Sequence, residues 1–217
     1  MLSKEMTLNQ EKILLVGAGG HAKACIDVIE QGKRFIISGL VGTARELGDY
    51  VLGYPVVGTD ADLSSLLTTH SHALVTTGHI ESPDLRIHLF QLLKQIGYSL
   101  PVLISPKAYV SPHATIGAGT IIMHGAVINA GAKIGRNCIL NSQSLIEHDV
   151  VVSDHCHIST GACVNGNVSI GAGTFIGSQS SIRQGLKIGD RCLIGMGQRV
   201  LADLDSGLNV PVRKKIL

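Results

Sequence analysis

Aromatic side chains are scarce in this 217-residue chain, at 3% with no tryptophan at all, and the net charge is only +2. A nucleic-acid surface needs basic patches interleaved with stacking rings, so no nucleic-acid partner is expected. Five cysteines are an odd number, which argues against a disulfide framework and for a reducing compartment. The first ten residues, MLSKEMTLNQ, hold no apolar run of the kind that directs export, so a cytoplasmic location is expected. Between Asp154 and Arg183 there is no Asp, Glu, Lys or Arg, and the mean hydropathy is +0.31. That stretch nevertheless carries Gly, Asn, Ser, Thr or Gln every few positions, which excludes a spanning helix. No membrane insertion is expected, and the stretch reads instead as a wall covered by another subunit.

What the chain has in abundance is regularity. Ile, Val or Leu recurs at every sixth residue through seventeen hexapeptides in unbroken phase, from Ile104 through Ile122, Ile146 and Ile170 to Val200. Four places after each comes a second, mostly small residue, as at Ala126, Cys138, Ser144, Cys156 and Ala162. A six-residue period fits neither an α-helix nor a long alternating strand. It fits a coil with flat sides and tight corners, in which three hexads make one triangular rung. Hexapeptide repeats of this kind build a parallel β-helix whose units bury their apolar face only by stacking. Cys138, Cys156 and Cys192 are separated by whole rungs and therefore share one column, where a thiol serves as a small core residue or, alternatively, as a metal ligand.

Residues 12–103 read differently, as alternating strands and helices of a small Rossmann-like α/β domain behind a short tail of residues 1–11. Strands are expected over Lys12 to Val16, Phe35 to Val41 and Ala73 to Thr77, with helices over Ala22 to Gln31, Pro83 to Gly97 and, capped by Asp60, as far as His70. About three strands result. The β-helix should occupy 104–205 and a tail 206–217. The turn Gly17-Ala18-Gly19-Gly20-His21-Ala22 is close to the GxGxx(G/A) fingerprint, whose glycines let the backbone approach a phosphate at a helix N-terminus. The same sequence also suits a plain tight turn. A nicotinamide dinucleotide calls for a carboxylate at the end of the second strand, where Gly39 to Thr43 supply none, so a nucleotide-sugar diphosphate is favoured.

Within the solenoid the densest ionisable residues are Glu147-His148-Asp149 and Asp154-His155-Cys156-His157. They are either solvent-facing rung residues or a catalytic group. A carboxylate beside an imidazole fixes its tautomer and favours its protonated form, making it a better base. Gly166 follows His148 by three hexads, one rung on, where a backbone N–H can stabilise an oxyanion.

The turn, the long hexapeptide array, Ile146-Glu147-His148-Asp149 and His157-Ile158-Ser159-Thr160-Gly161-Ala162 together resemble bacterial sugar acetyltransferases. These are the UDP-bacillosamine-type N-acetyltransferases and the sialic acid O-acetyltransferases, both of the hexapeptide-repeat superfamily. The resemblance implies a left-handed coil, a homotrimer, and acetyl-CoA in the groove between neighbouring solenoids, with no metal. It makes His148 the general base and Asp149 its acidic partner, and sets His157 near the acetyl group and the backbone of Gly166 near the thioester. Gly195, Met196 and Gly197 match the stretch lining the pantetheine arm, and Gly17, Gly19, Gly20 and His21 the nucleotide-sugar loop. Where relatives often carry an acidic pair after the second strand, this chain has Gly42 and Thr43. Its end, Asn209-Val210-Pro211-Val212-Arg213, resembles the closing Gly-x-Pro-Ala-Arg only loosely. CoA phosphates would meet Arg199 or the Arg213-Lys214-Lys215 run, unless that run is simply a solvated tail.

The expected reaction is N-acetylation of a nucleotide-linked 4-amino-4,6-dideoxysugar, with O-acetylation of sialic or a related nonulosonic acid as the alternative. Two other classes are a non-catalytic binding solenoid and a zinc lyase like the γ-type carbonic anhydrases. The latter is disfavoured because no two of the solenoid histidines, His113, His124, His148, His155 and His157, are separated by a whole number of rungs.

Overall fold

The computed structural model describes residues 10–211. Its first part is a five-stranded sheet built from β1 (Glu11–Val16), β2 (Phe35–Val41), β3 (Tyr50–Val51), β4 (Tyr54–Gly58) and β5 (His72–Val75). The order across the sheet is β3-β4-β2-β1-β5, all parallel except β3 against β4. The sheet thus has two more strands than the three expected. The segment around Gly53 and Pro55 forms an edge hairpin, with a left-handed Leu52-Gly53 turn joining β3 to β4.

Helix α1 (Gly20–Gly32) and helix α3 (Asp84–Ile96) fall where the sequence placed them. The expected helix from Asp60 to His70 does not form as one piece. Thr59, not Asp60, is the cap: its amide and hydroxyl donate to Asp62 Oδ2, closing a 3-10 turn over Asp60–Asp62 before the four-residue α2 (Leu63–Leu66). With Ser65, Thr68 and Thr69 hydroxyls bonded to nearby carbonyls, the following segment breaks into turns.

From Leu103 onward the chain is a left-handed parallel β-helix of two-residue strands that stack into faces of six, five and seven strands, each pairing with the strand three hexads later except Leu193–Ile194, whose partner Asn209–Val210 comes two residues sooner. Every inward residue from Ile122 to Ile194 is at most 5% exposed, and each such aliphatic side chain contributes about 1.5–3 kcal/mol through burial. At each corner from Gly119 to Gly197 the third residue after the inward one has φ of 51° to 76°, occupied by Gly or by Asn, Gln, Asp, His or Arg. One residue further on, the small position turns inward. Its hydroxyl or thiol caps a carbonyl of the next coil: Thr120 to Gly135, Cys138 to Ser153, Cys156 to Gly171, Thr174 to Gly189. The cysteine column is therefore core, made of groups that donate a proton and still pack. The coil continues beyond residue 205, because Asn209–Val210 pairs with Leu193–Ile194.

The α/β domain sits on one outer face of the solenoid. Leu103, Ile121, Met123 and Ile139 share a single core with Ile13, Leu15, Ala22, Cys25, Ile26 and Ile29. Further up the same outward column stand His157, Phe175 and Leu193, each paired to the next.

Candidate active site

The Gly-rich turn lies at the carboxyl edge of the sheet, between β1 and its two neighbours, the switch point where α/β sheets bind ligands. Gly17 cannot be replaced without strain: its φ is 118°, and an added Cβ would collide with the side chain and backbone of Thr77. Gly19 and Gly20 leave open space at the start of α1, whose first turn presents unpaired amides. With His21 they line a pocket of about 580 Å³ together with Gly42, Thr43, Glu46, Asp60, Thr77 and Leu85.

Behind this pocket lies a buried polar cluster. Arg86, fully buried, donates from Nη1 to Val75 O and Thr77 O and from Nε to Asn137 O, so one cation joins the edge of the sheet to a solenoid corner. Among the described residues no carboxylate pairs with it, and burial draws its pKa down to about 10. Three imidazoles gather nearby, with ring centroids 6.4 Å apart for His21 and His157 and 5.5 Å for His79 and His157. Burial, with Arg86 and neighbouring imidazoles adding to it, lowers His21 and His79 to about 3. His157 falls to about 4, chiefly through burial, against a raising bond to His79. His157 is thus neutral: Nδ1 donates to His79 O at 2.8 Å and Nε2 accepts from Asn141 Nδ2 at 3.2 Å.

His157 also forms one wall of a groove of about 710 Å³ with Ser159, Phe175, Gly177, Gly195, Met196 and the loop residues Ile80 and Glu81. Gly197 turns the adjacent corner at φ 68°, outside that lining.

His148 and Asp149 are elsewhere. They occupy the corner after Leu145–Ile146, and in a triangular coil that corner lies across the prism from the face bearing His157. His148 Nδ1 donates to Asp149 Oδ2 at 2.9 Å, with both side chains about two-thirds exposed. In the neutral ring this bond leaves Nε2 as the acceptor nitrogen, and it points at Gly166, where an added Cβ would lie 2.6 Å from it. The amides of Asn165 and Asn167 bond to Ile182 O and His148 O, whereas the Gly166 N–H between them has no backbone acceptor among the described residues. These residues line a third cavity of about 470 Å³ with Glu147, Gln184 and Gly185.

Other expected site residues scatter. Asp154 is bound to Arg136, its Oδ2 2.6 Å from Nη2, and His155 packs edge-on against Phe90 and meets Asn137. Cys156 points inward. Arg199 is exposed, and Arg213-Lys214-Lys215 lie outside the described residues. Among the described residues no group of three or more His, Cys, Asp or Glu is placed to hold a metal ion. No helix among them is long and apolar enough to cross a membrane. Sequence reasoning overlooked Glu46, His79, Arg86 and Asn141. Glu46 and His79 lie in the loops after the carboxyl ends of β2 and β5, whereas Arg86 is on helix α3.

A phosphate-type turn on an α/β domain, mounted on a hexapeptide coil with an oriented histidine, defines an acyltransferase of the hexapeptide-repeat class. Residues 12–91 match the model of the PglD N-terminal domain, and 167–202 that of the hexapeptide repeat of succinyl-transferase. The acetyltransferase domain of PglB from Neisseria gonorrhoeae, solved with acetyl coenzyme A, is 30% identical over 94% of this chain and 97% of that one, with a TM-score of 0.85. PerB from Caulobacter crescentus, solved with CoA and GDP-perosamine, is 31% identical over 94% and 95%, with a TM-score of 0.86. WeeI from Acinetobacter baumannii is 25% identical over 91% and 95%, with a TM-score of 0.81. The chain belongs to the hexapeptide-repeat sugar N-acetyltransferases that carry a PglD-type N-terminal domain.

Proposed function

We propose that this protein transfers the acetyl group of acetyl-CoA to the exocyclic amine of a nucleotide-linked 4-amino-4,6-dideoxysugar. The observation that carries this reading is the His148 corner: an imidazole whose Nδ1 is held by Asp149 and whose Nε2 faces a side-chain-free backbone at Gly166. The complexes of the similar proteins with acetyl coenzyme A and with GDP-perosamine support the two substrates.

In this mechanism the amine nitrogen attacks the thioester carbonyl carbon while His148 Nε2 takes an N–H proton, and Asp149 stabilises the imidazolium. The carbonyl oxygen becomes an oxyanion that accepts a hydrogen bond from Gly166 N–H. Collapse forms the amide, breaks the C–S bond and releases CoA thiolate, which recovers the proton from His148. His157 cannot exchange roles with His148, because both its ring nitrogens are engaged and its burial disfavours the imidazolium that a base must become. It lines the groove for the acyl-pantetheine arm, with Gly195, Met196 and the adjoining Gly197 further along. Gly17, Gly19, Gly20 and His21 take the sugar nucleotide's diphosphate.

The separation of His148 from the His157 groove supports a homotrimer with threefold symmetry, in which one subunit's His148 corner faces the neighbour's groove. The five free thiols fit a cytoplasmic setting.

The test is thiol release from acetyl-CoA with a panel of UDP-, GDP- and dTDP-linked aminosugars and free sialic acid. His148→Ala should lower kcat/KM by about 10²–10⁴-fold without weakening CoA binding. Full activity of that variant sinks the role of His148, and turnover of sialic acid alone sinks the choice of acceptor.

A further inference from the structure

The expected absence of a carboxylate after the second strand is overturned by the way the chain folds back on itself. After Val41, Gly42 N donates to Gly58 O and Glu46 N to Thr43 O, forming a turn. Thr43 N and Thr43 Oγ1 each donate to Glu46 Oε2 at 2.8 Å. The carboxylate thereby lies over Gly42. A Cβ built on Gly42 would be 3.0 Å from Glu46 Oε2 and 3.3 Å from Ala18 Cβ of the Gly-rich turn. Gly42, read in the sequence as a missing acid, is the opening through which Glu46 supplies one.

Glu46 and the phosphate turn line the same pocket, in which there is no Lys or Arg among the described residues. Among the described residues Oε1 has no hydrogen-bond partner, so the carboxylate is oriented through one oxygen and open at the other. In α/β nucleotide pockets a diphosphate on the helix N-terminus and an acid at the end of the second strand are separated by one nucleoside, and the acid takes the ribose 2′-hydroxyl. Asp60 on the same rim adds a second negative group, which disfavours a phosphorylated ribose such as that of CoA.

We propose that Glu46 accepts hydrogen bonds from the ribose 2′- and 3′-hydroxyls of the sugar nucleotide, making the pocket selective for ribonucleoside over 2′-deoxyribonucleoside diphosphate sugars. This rests on reading the turn as the nucleotide-sugar site and narrows that reading to UDP- or GDP-linked acceptors in preference to dTDP-linked ones. Thr43 is the positioning residue that holds the carboxylate in place.

Calorimetric titration of the full chain with UDP, dUDP, GDP and dGDP tests the proposal. The wild-type protein should bind each ribonucleotide about tenfold or more tightly than its 2′-deoxy counterpart, the value of a hydrogen bond to a charged acceptor. Glu46→Ala should bring UDP and GDP down to the deoxy level while CoA affinity and melting temperature stay unchanged. Glu46→Gln keeps an oxygen for Thr43 and decides the matter if the alanine variant folds poorly; its preference should fall to about two- to threefold. Equal binding of ribo and deoxy forms by the wild type, or a preference retained in both variants, overturns the role of Glu46 alone. Failure of every nucleoside diphosphate to bind the wild type overturns the nucleotide reading of the turn as well.

Discussion

The solenoid and the α/β domain both rest on fully buried aliphatic cores, but each residue's place is decided in a different way. In the solenoid a position is fixed by translation: what is true at Ile128 holds at Ile146 and Val164, one coil on each time. In the α/β domain a position is fixed once only, by whichever turn or helix meets it. Repetition therefore gives the solenoid an internal standard, and a residue that breaks its column is visible as a departure. His157 is one, standing in an outward column of Leu103, Ile121, Ile139, Phe175 and Leu193. No such standard exists for Arg86 or Glu46.

The strongest way to break this contrast is at the seam, where one unrepeated side chain holds repeated backbone. Arg86→Met removes the donors to Val75 O, Thr77 O and Asn137 O and should destabilise the protein by about 3 kcal/mol. The readout is the midpoint of urea unfolding, and a shift equivalent to under about 0.5 kcal/mol would show that the buried cation is not what joins the two parts.

Per histidine and per pH unit, a smaller effect is expected from acid. His21, His79 and His157 have folded-state pKa values of about 3, 3 and 4, below their unfolded value of 6.5. The unfolded chain then binds more protons, so stability is fully present above pH 6.5 and is lost as the pH falls toward 4. The slope should approach about 1.4 kcal/mol per pH unit for each histidine that remains neutral. His79→Asn should flatten the slope in that window, and melting temperatures unchanged from pH 7 to pH 5 would contradict it.

The smallest effect should come from exchanging equivalents inside the repeat. Thr120 and Thr174 already occupy the column of Cys138 and make the same bond to a carbonyl of the following coil. Cys138→Thr should thus change stability by less than about 1 kcal/mol in thermal melts. A loss of several kcal/mol would mean that the column is individually fitted and the translational argument is too simple.

The same contrast explains what could be read from the sequence. The coil, its phase and its inward residues were legible because one rule applies at every sixth place. His148 and Gly166 were legible as neighbours because three hexads complete one rung, and the structure sets Nε2 over Gly166. The groove of His157 and the corner of His148 were quoted together by motif, yet they lie on opposite parts of one prism, since motifs carry no direction. In the α/β domain the Gly-rich turn was legible through its glycines, but Glu46 was not, because its place depends on a fold-back held by Thr43. The edge hairpin was hidden because Gly53 and Pro55 interrupt any strand-like run between Tyr50 and Gly58. Arg86 on a helix face would ordinarily be solvated; here it is buried between the sheet edge at Val75 and Thr77 and the solenoid corner at Asn137.

The stacking of whole coils also makes the solenoid a measuring rod. Parallel strands lie about 4.8 Å apart, so depth along the groove from His157 past Phe175 to Leu193 is graduated in steps of that size. An insertion of three hexads would lengthen the groove by one graduation and leave every wall facing as before. An insertion of one or two hexads would instead carry each later residue around to another side of the prism. A channel built this way can change its reach only in whole units.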